Sequence, residues 1–281
     1  MMNDLMRIFS NVQAMKARQA LVEVNGKIGK HQHRLATGKR INSASEDPAG
    51  YQLARNLESR KRGLDVALQN VSNARSILNI AEGGYQNIMD ILQTIKEKAT
   101  QAADFALNDS QRGAIEDQVG ELLNEIDNIV DDTTYNDLHL IGDSEDGGED
   151  PFTGDFQTGE GSEDQMAVTL QQADSAALGL SGLSLATASD AQDAINTVTN
   201  AINVVASDVQ DVGEYKVRIN SKESTLNTQS TNTEAVRSSI EDADFAEEQM
   251  EVTKLQILQQ TSVSSLVQAN SAPQVVLSLF Q

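Results

Sequence analysis

The stretch LARNLESRKRGLDVALQNVSNARSILNIAEGGYQNIMDILQTIKEKATQA, Leu53–Ala102, decides the fold. Stepping alternately by four and three lands on Leu53, Leu57, Arg60, Leu64, Ala67, Val71, Ala74, Leu78, Ala81, Tyr85, Ile88, Leu92, Ile95, Ala99 and Ala102. All but Arg60 are apolar or Tyr. A 3.5-residue repeat held for about seven heptads is the pattern of one helix lying along another. At 1.5 Å per residue the helix runs roughly 75 Å, too long for an ordinary globule. Gly83 and Gly84 interrupt the pattern at about 1 kcal/mol each against Ala, so a bend is expected there.

Other stripes flank this one. Ile115, Val119, Leu122, Ile126 and Ile129 continue it. A return helix is expected on Ile195, Val198, Ile202, Val205, Val209, Val212 and Ile219, with Lys216 as its break. Near the start lie Leu5, Ile8, Val12 and Met15, then Leu21, Val24 and Ile28; near the end, Val252, Leu255, Leu258, Ser262, Leu266 and Ala269. These terminal stripes are narrow, and helices built on them are marginal alone because nucleation is costly. Between the long arms, residues 142–165 are rich in Gly and acid, which is turn chemistry. Met166–Leu170 and Leu178–Leu185 suit short strands. The expected fold is mainly α: a long antiparallel helical hairpin or coiled coil with a small β-hairpin region in the middle of the chain.

Composition agrees and excludes much. The 281 residues contain no Cys and no Trp, so a disulfide framework, a thiolate zinc site and a Cys nucleophile are ruled out. Only ten residues are aromatic, too few for an ordinary globular core. Forty-two acids against 21 bases give a net charge of -21, which disfavours nucleic acid. The charge is uneven: residues 1–60 carry +5, 61–140 carry -8, 141–189 carry -10 and 190–281 carry -8. A basic start facing an acidic end favours pairing of the two. The 2:1 excess of acid points to a protein working in high salt, where like charges are screened.

No run approaches the ~18 apolar residues of a membrane span, and the N-terminus lacks a cleavable secretory signal. Catalytic and metal motifs are absent: no HExxH, no GxxxxGK[ST], no GxSxG. His31 and His33 face different directions on a helix. The frame from Asp143 fails the EF-hand pattern, with Gly147 on a ligand position and Gly154 on the closing Glu. No catalytic residue, cofactor or metal is expected.

Two stretches carry a family resemblance. LATGKRINSASEDPAG, Leu35–Gly50, resembles the N-terminal signature of bacterial flagellins, and RSSIEDADFAEE, Arg237–Glu248, resembles their C-terminal one. LQILQQ (Leu255–Gln260), LVQANSAPQVVLSL (Leu266–Leu279), LLNEIDNIVDDTTYNDLHLI (Leu122–Ile141) and ALGLSGLSL (Ala177–Leu185) are also flagellin-like. The resemblance implies a secreted structural subunit, no enzyme, that polymerises with copies of itself into the extracellular flagellar filament. It implies export in the unfolded state through the flagellar export apparatus, with an export chaperone, cap and hook-junction proteins as partners, and no nucleic acid or membrane insertion. MMNDL precedes Met6, where many flagellins begin.

The organisation it implies is a core helix over 1–46 pairing with 246–281, inner-layer helices over 47–140, a loop and hairpin region over 141–189 and a return helix over 190–245. About 48 residues between Ile141 and Asp190 leave no room for outer domains, so a short flagellin and a thin filament are expected. The seam within the subunit is assigned to Leu53, Leu57, Leu64, Val71, Leu78, Ile88, Leu92, Ile95, Ile195, Val198, Ile202, Val205, Val209 and Val212. Assembly and core contacts are assigned to Leu21, Val24, Ile28, Leu35, Arg40, Asn42, Asp47, Asp242, Leu255, Leu258, Leu266, Val276 and Leu279. In the segment resembling the contact for the flagellin-sensing toll-like receptor, Thr94 stands where active flagellins have Arg, Lys98 where they have Leu and Gln118 where they have Glu, so weak activation is expected. The alternatives are the hook-filament junction protein of the same superfamily and, in another class, a soluble coiled-coil adaptor or chaperone.

Overall fold

The structure is a computed structural model that describes residues 10–142 and 152–278, with side chains described to residue 271. In chain order the described elements are helices α1 (Val12–Thr37), α2 (Pro48–Ala102) and α3 (Asp109–Asp132), strands β1 (Thr134–Tyr135), β2 (Leu138–His139), β3 (Phe152–Gln157) and β4 (Gln165–Leu170), and helices α4 (Ala188–Glu241) and α5 (Phe245–Ser278). The chain falls into two compact units, Met1–Arg60 with Asn232–Gln281, and Lys61–Thr231.

In the Lys61–Thr231 unit, α2 buries an alternation of large and small side chains: Leu64, Ala67, Val71, Ala74, Leu78, Ala81, Tyr85, Ile88, Leu92, Ile95, Ala99 and Ala102. Each buried Leu or Ile contributes about 1.5–3 kcal/mol of hydrophobic stabilisation, and the intervening Ala residues let neighbours approach closely. The core is completed by Ile115, Val119, Ile126 and Val130 of α3, by Met166, Val168 and Leu170 of β4, and by α4. Side-chain links give the direction of α4: Asp65 to Ser230, Arg75 to Glu223 and Glu82 to Lys216 pair rising numbers on α2 with falling numbers on α4, an antiparallel arrangement.

α2 runs as one helix through Gly83 and Gly84. A side chain at Gly84 would come within 2.7 Å of Ile141 Cδ1 and 2.8 Å of Thr133 Oγ1, so the glycine makes room for the β1–β2 region. Leu178–Leu185 is not a strand but a run of turns, with Gly179 at φ 68° and Gly182 at φ 80°, backbone that L side chains avoid. Conversely, β3 lies in the stretch read as loop. It pairs antiparallel with β4 from Phe152 opposite Leu170 to Gln157 opposite Gln165. The β1–β2 hairpin was missed too, although Asn136 and Asp137 at φ 51° and 65° are the residues a two-residue turn of positive φ prefers.

The seam on α4 is also offset from the expected one. Val198, Val205 and Val212 are buried as expected, but Ala194, Ala201 and Asp208 fill the alternate positions. Ile195, Ile202 and Val209 are only partly buried beside the core. Counting only large apolar residues favours the flank, whereas the tight line of contact selects small ones. Of the α3 stripe, Leu122 and Ile129 are likewise half-buried.

In the other unit, α1 packs against α5. Asn11 with Ala269, Asn25 with Gln259 and His31 with Glu248 make this pair antiparallel as well. Gly38 ends α1 in the left-handed conformation (φ 70°), its N–H donating to the Arg34 carbonyl at 2.8 Å.

Candidate assembly site

The two signature stretches meet in a short antiparallel bridge between Lys39 and Asp242. The Arg40 N–H donates to the Glu241 carbonyl at 2.7 Å and the Ala243 N–H to the Gly38 carbonyl at 2.9 Å. Around the bridge each polar residue has a task. The Arg40 guanidinium donates to the Ile240 carbonyl at 2.6 Å, and Asn42 Nδ2 donates to the Lys39 carbonyl at 2.7 Å. The Asn42 N–H is received by Glu46 Oε2 at 3.0 Å. Asp47 Oδ1 accepts from the Gly50 N–H at 3.0 Å, the N-cap bond of a helix whose first residue is Pro48. Asp242 enters the bridge through its backbone, and its side chain is exposed.

At the centre lies Glu241, 1% exposed. Its carboxylate accepts from Lys39 Nζ at 2.7 Å, Arg237 Nη1 at 2.7 Å and Arg55 Nη2 at 3.2 Å. Burial pushes its carboxyl up, but hydrogen bonds and charge from Lys39 and Arg237, with Arg55 beyond, overcome this and hold it below the ordinary value. A second cluster joins α1 to α5: the Glu248 carboxylate meets His31 Nδ1 at 2.5 Å and Arg34 Nη1 at 3.2 Å. Glu46 receives Lys30 Nζ at 2.9 Å and faces Arg34 at 3.6 Å; its carboxyl too lies below the ordinary value, burial opposing and the Asn42 N–H and Lys30 prevailing. Neither Glu241 nor the Lys39–Arg55–Arg237 set was singled out in the sequence. The available signal was the four-residue spacing of Arg237 and Glu241 on one helix face.

The apolar assignments divide. Ile28 and Leu255 are buried; Leu21, Val24, Leu35 and Leu266 are half-buried. Leu258, placed with them, is exposed. Val276, by its side chain, and Leu279 lie outside the described residues, as do Leu5, Ile8, Met6 and the Asp143 frame. Leu53 is 49% exposed, with Ala54 buried in its stead and Leu57 half-buried. The reason is local. Ile41 lies within 2.8 Å of where a Gly50 Cβ would stand, so α2 turns its Gly50–Ala54 face inward here. Meanwhile α1 and α5 leave Met15, Val22, Phe245, Met250, Ile257, Leu258, Val263 and Val267 in solvent. Six of these eight lie on α5.

A buried ionic junction between the two signature segments, together with long helices that keep apolar side chains in water, defines a structural protein of the self-associating helical class. The chain belongs to the bacterial flagellin family. The family model for the N-terminal helical region of bacterial flagellin matches residues 8–146, and that for the C-terminal helical region matches residues 195–280. The flagellin of Listeria monocytogenes is 32% identical over 286 residues, covering 98% of this chain and 99% of that protein. The flagellar filament 33 kDa core protein of Treponema phagedenis is 31% identical, covering 98% and 100%. Among solved structures, one titled as a flagellar hook-associated protein of Vibrio parahaemolyticus superposes with a TM-score of 0.59 at 12% identity, over 70% of this chain and all of that one. At that identity the likeness concerns the fold alone. Both relatives match along nearly their whole length, consistent with a short flagellin.

Proposed function

We propose that the chain is the structural subunit of a bacterial flagellar filament, and that the apolar side chains exposed on α1 and α5 are the surface by which copies join. Its relatives are flagellins and a filament core protein. The observation that supports the surface assignment is the exposed set itself: Met250 at 66%, Ile257 at 60% and Val267 at 63% are unstable in water and gain by burial against another copy. The Glu241 junction and the Glu248 cluster hold α1, the start of α2 and α5 in the arrangement that presents this surface. Residues 1–46 and 246–281 are assigned to the core layer, and 47–140 and 190–245 with the loop and hairpin region of 141–189 to the inner layer. The chain leaves the cell unfolded through the flagellar export apparatus with an export chaperone, and is added beneath the cap of a filament seated on the hook-junction proteins. The filament is extracellular. Among the described residues no helix is long and apolar enough to cross a membrane.

The test is seeded growth. Purified protein mixed with sheared filament fragments extends them, as seen by electron microscopy. Ile257→Asp abolishes extension while leaving the far-UV circular dichroism of the unassembled chain unchanged; extension at the wild-type rate would remove α5 from the joining surface.

The same reading places Thr94, Lys98 and Gln118 at the receptor-facing segment. Thr94 and Gln118 are exposed and Lys98 is half-buried. The Thr94 hydroxyl donates to its own helix, at the Asp90 carbonyl, so it offers no bidentate donor to a partner. Weak activation of the flagellin-sensing toll-like receptor is expected. A reporter-cell response half-maximal at the concentration of an active flagellin would contradict it.

A further inference from the structure

Asp208 stands at a seam position of α4, in line with Ala201 and Ala194 one and two heptads before it. It is 7% exposed, and its Oδ2 has no hydrogen-bond partner among the described residues. The surrounding elements supply no cation. From Ala188, α4 carries no Lys or Arg until Lys216, whose Nζ is taken by Glu82 at 2.6 Å. On α2 there is no base between Arg75 and Lys96, and Gln165–Ala173 contains no charged side chain. Two titratable groups act across this point. From α2, Tyr85 lies in the field of Asp208, but its hydroxyl proton is committed to the Gln171 carbonyl at 2.5 Å. On α4 itself, Asp211 adds a like charge.

We propose that Asp208 is a proton-operated lock on the helical seam of the Lys61–Thr231 unit: protonated, it is a small neutral residue the seam accommodates; ionised, it places an uncompensated charge among apolar side chains and loosens α4 there. Burial, and then Asp211, push its carboxyl up from 3.8 to about 6. The folded chain therefore binds this proton about a hundredfold more tightly than the unfolded one. The stabilisation is complete below the unfolded value and is lost as pH rises through about 6. Every copy in a polymer would carry the same lock, so its seams would loosen together over that window. The lock itself belongs to a single chain, and its test does not depend on the filament reading.

The test uses the full-length unassembled chain. Side-chain carboxyl carbon resonances are followed by NMR from pH 3.5 to 8, with Asp208 assigned through its own backbone and Cβ resonances in the wild-type chain. Asp208 should titrate near 6, and Asp211→Asn should lower that midpoint. Thermal unfolding provides the second readout: Asp208→Asn raises the midpoint at pH 8, and the gain shrinks to a small remainder at pH 4. A wild-type Asp208 titrating at or below the ordinary carboxylate range overturns the proposal, and this measurement needs no variant to fold. So does Asp208→Asn that is equally stabilising at both pH values, or destabilising at pH 8, since the latter means that a bound cation or donor holds the charge.

Discussion

Glu241 shows how one residue carries the junction. Its carboxylate is the common acceptor for Lys39, Arg55 and Arg237, which come from the turn after α1, from α2 and from α4. Glu241→Gln preserves shape but removes the charge that the three cations share, although Arg55 keeps Glu58 and Arg237 keeps Glu234. Breaking a buried ion pair costs about 3–5 kcal/mol, and the partial exposure of Lys39 and Arg55 screens part of it. A loss of about 2 kcal/mol in urea unfolding is expected. The pH dependence has a definite sign. Because the Glu241 carboxyl is held below its ordinary value of 4.5, its contribution is intact above that value and is lost as pH falls through the lower folded one. Wild type and Glu241→Gln should therefore differ most near neutrality and converge in acid. Asp208 has the opposite sign, which lets the two be separated in one pH series.

At the scale of elements, α2 offers a neighbouring pair of tests. Gly83 has open space where a Cβ would sit, so Gly83→Ala gains helix propensity, about 0.5–1 kcal/mol. At Gly84 the added methyl meets Thr133 Oγ1, which is fixed by its bond to the Ile129 carbonyl at 2.6 Å, and the buried Ile141. Gly84→Ala is expected to lose about 1–2 kcal/mol net by overpacking. Thermal midpoints moving in opposite directions would establish that close approach, not flexibility, explains the second glycine. The same pair shows what could be read from sequence and what could not. Heptad spacing located α2 and its seam from Leu64 onward, because period is a one-dimensional property. It misjudged Leu53 and the α4 flank, because each is decided by packing that a period does not encode: Ile41 for the first and the tight seam for the second; the close approach of Ile141 and Thr133 at Gly84 is invisible to it for the same reason. The signature stretches meet at the junction, yet Glu241 is absent from the residues assigned from them and Asp242 is among those residues. Adjacent acids look alike in a string, and only the fold turns one inward to three cations and the other outward.

For the whole molecule the deciding quantity is charge. The net -21 resists bringing copies together, whereas the exposed apolar residues of α1 and α5 favour it. Salt acts on these unequally. The Debye length falls from about 10 Å at 0.1 M to about 3 Å at 1 M, which removes most repulsion between surfaces of like sign. The attractive ion pairs that matter are sheltered from this: the Glu241 and Glu248 carboxylates are buried, and screening of such pairs is much weaker. Apolar burial itself is not weakened by added NaCl. The net effect of salt on assembly should therefore be favourable. Filaments should be more resistant to heat at 1–3 M NaCl than at 0.1 M, and seeded extension should be faster. Substituting surface acids of the hairpin segment, Asp155 and Glu163 to Asn and Gln, should shift the salt requirement downward without altering the plateau. If raising NaCl from 0.1 to 3 M instead disassembles the filament, then attraction between exposed charges holds the copies together, and the acid excess serves only solubility.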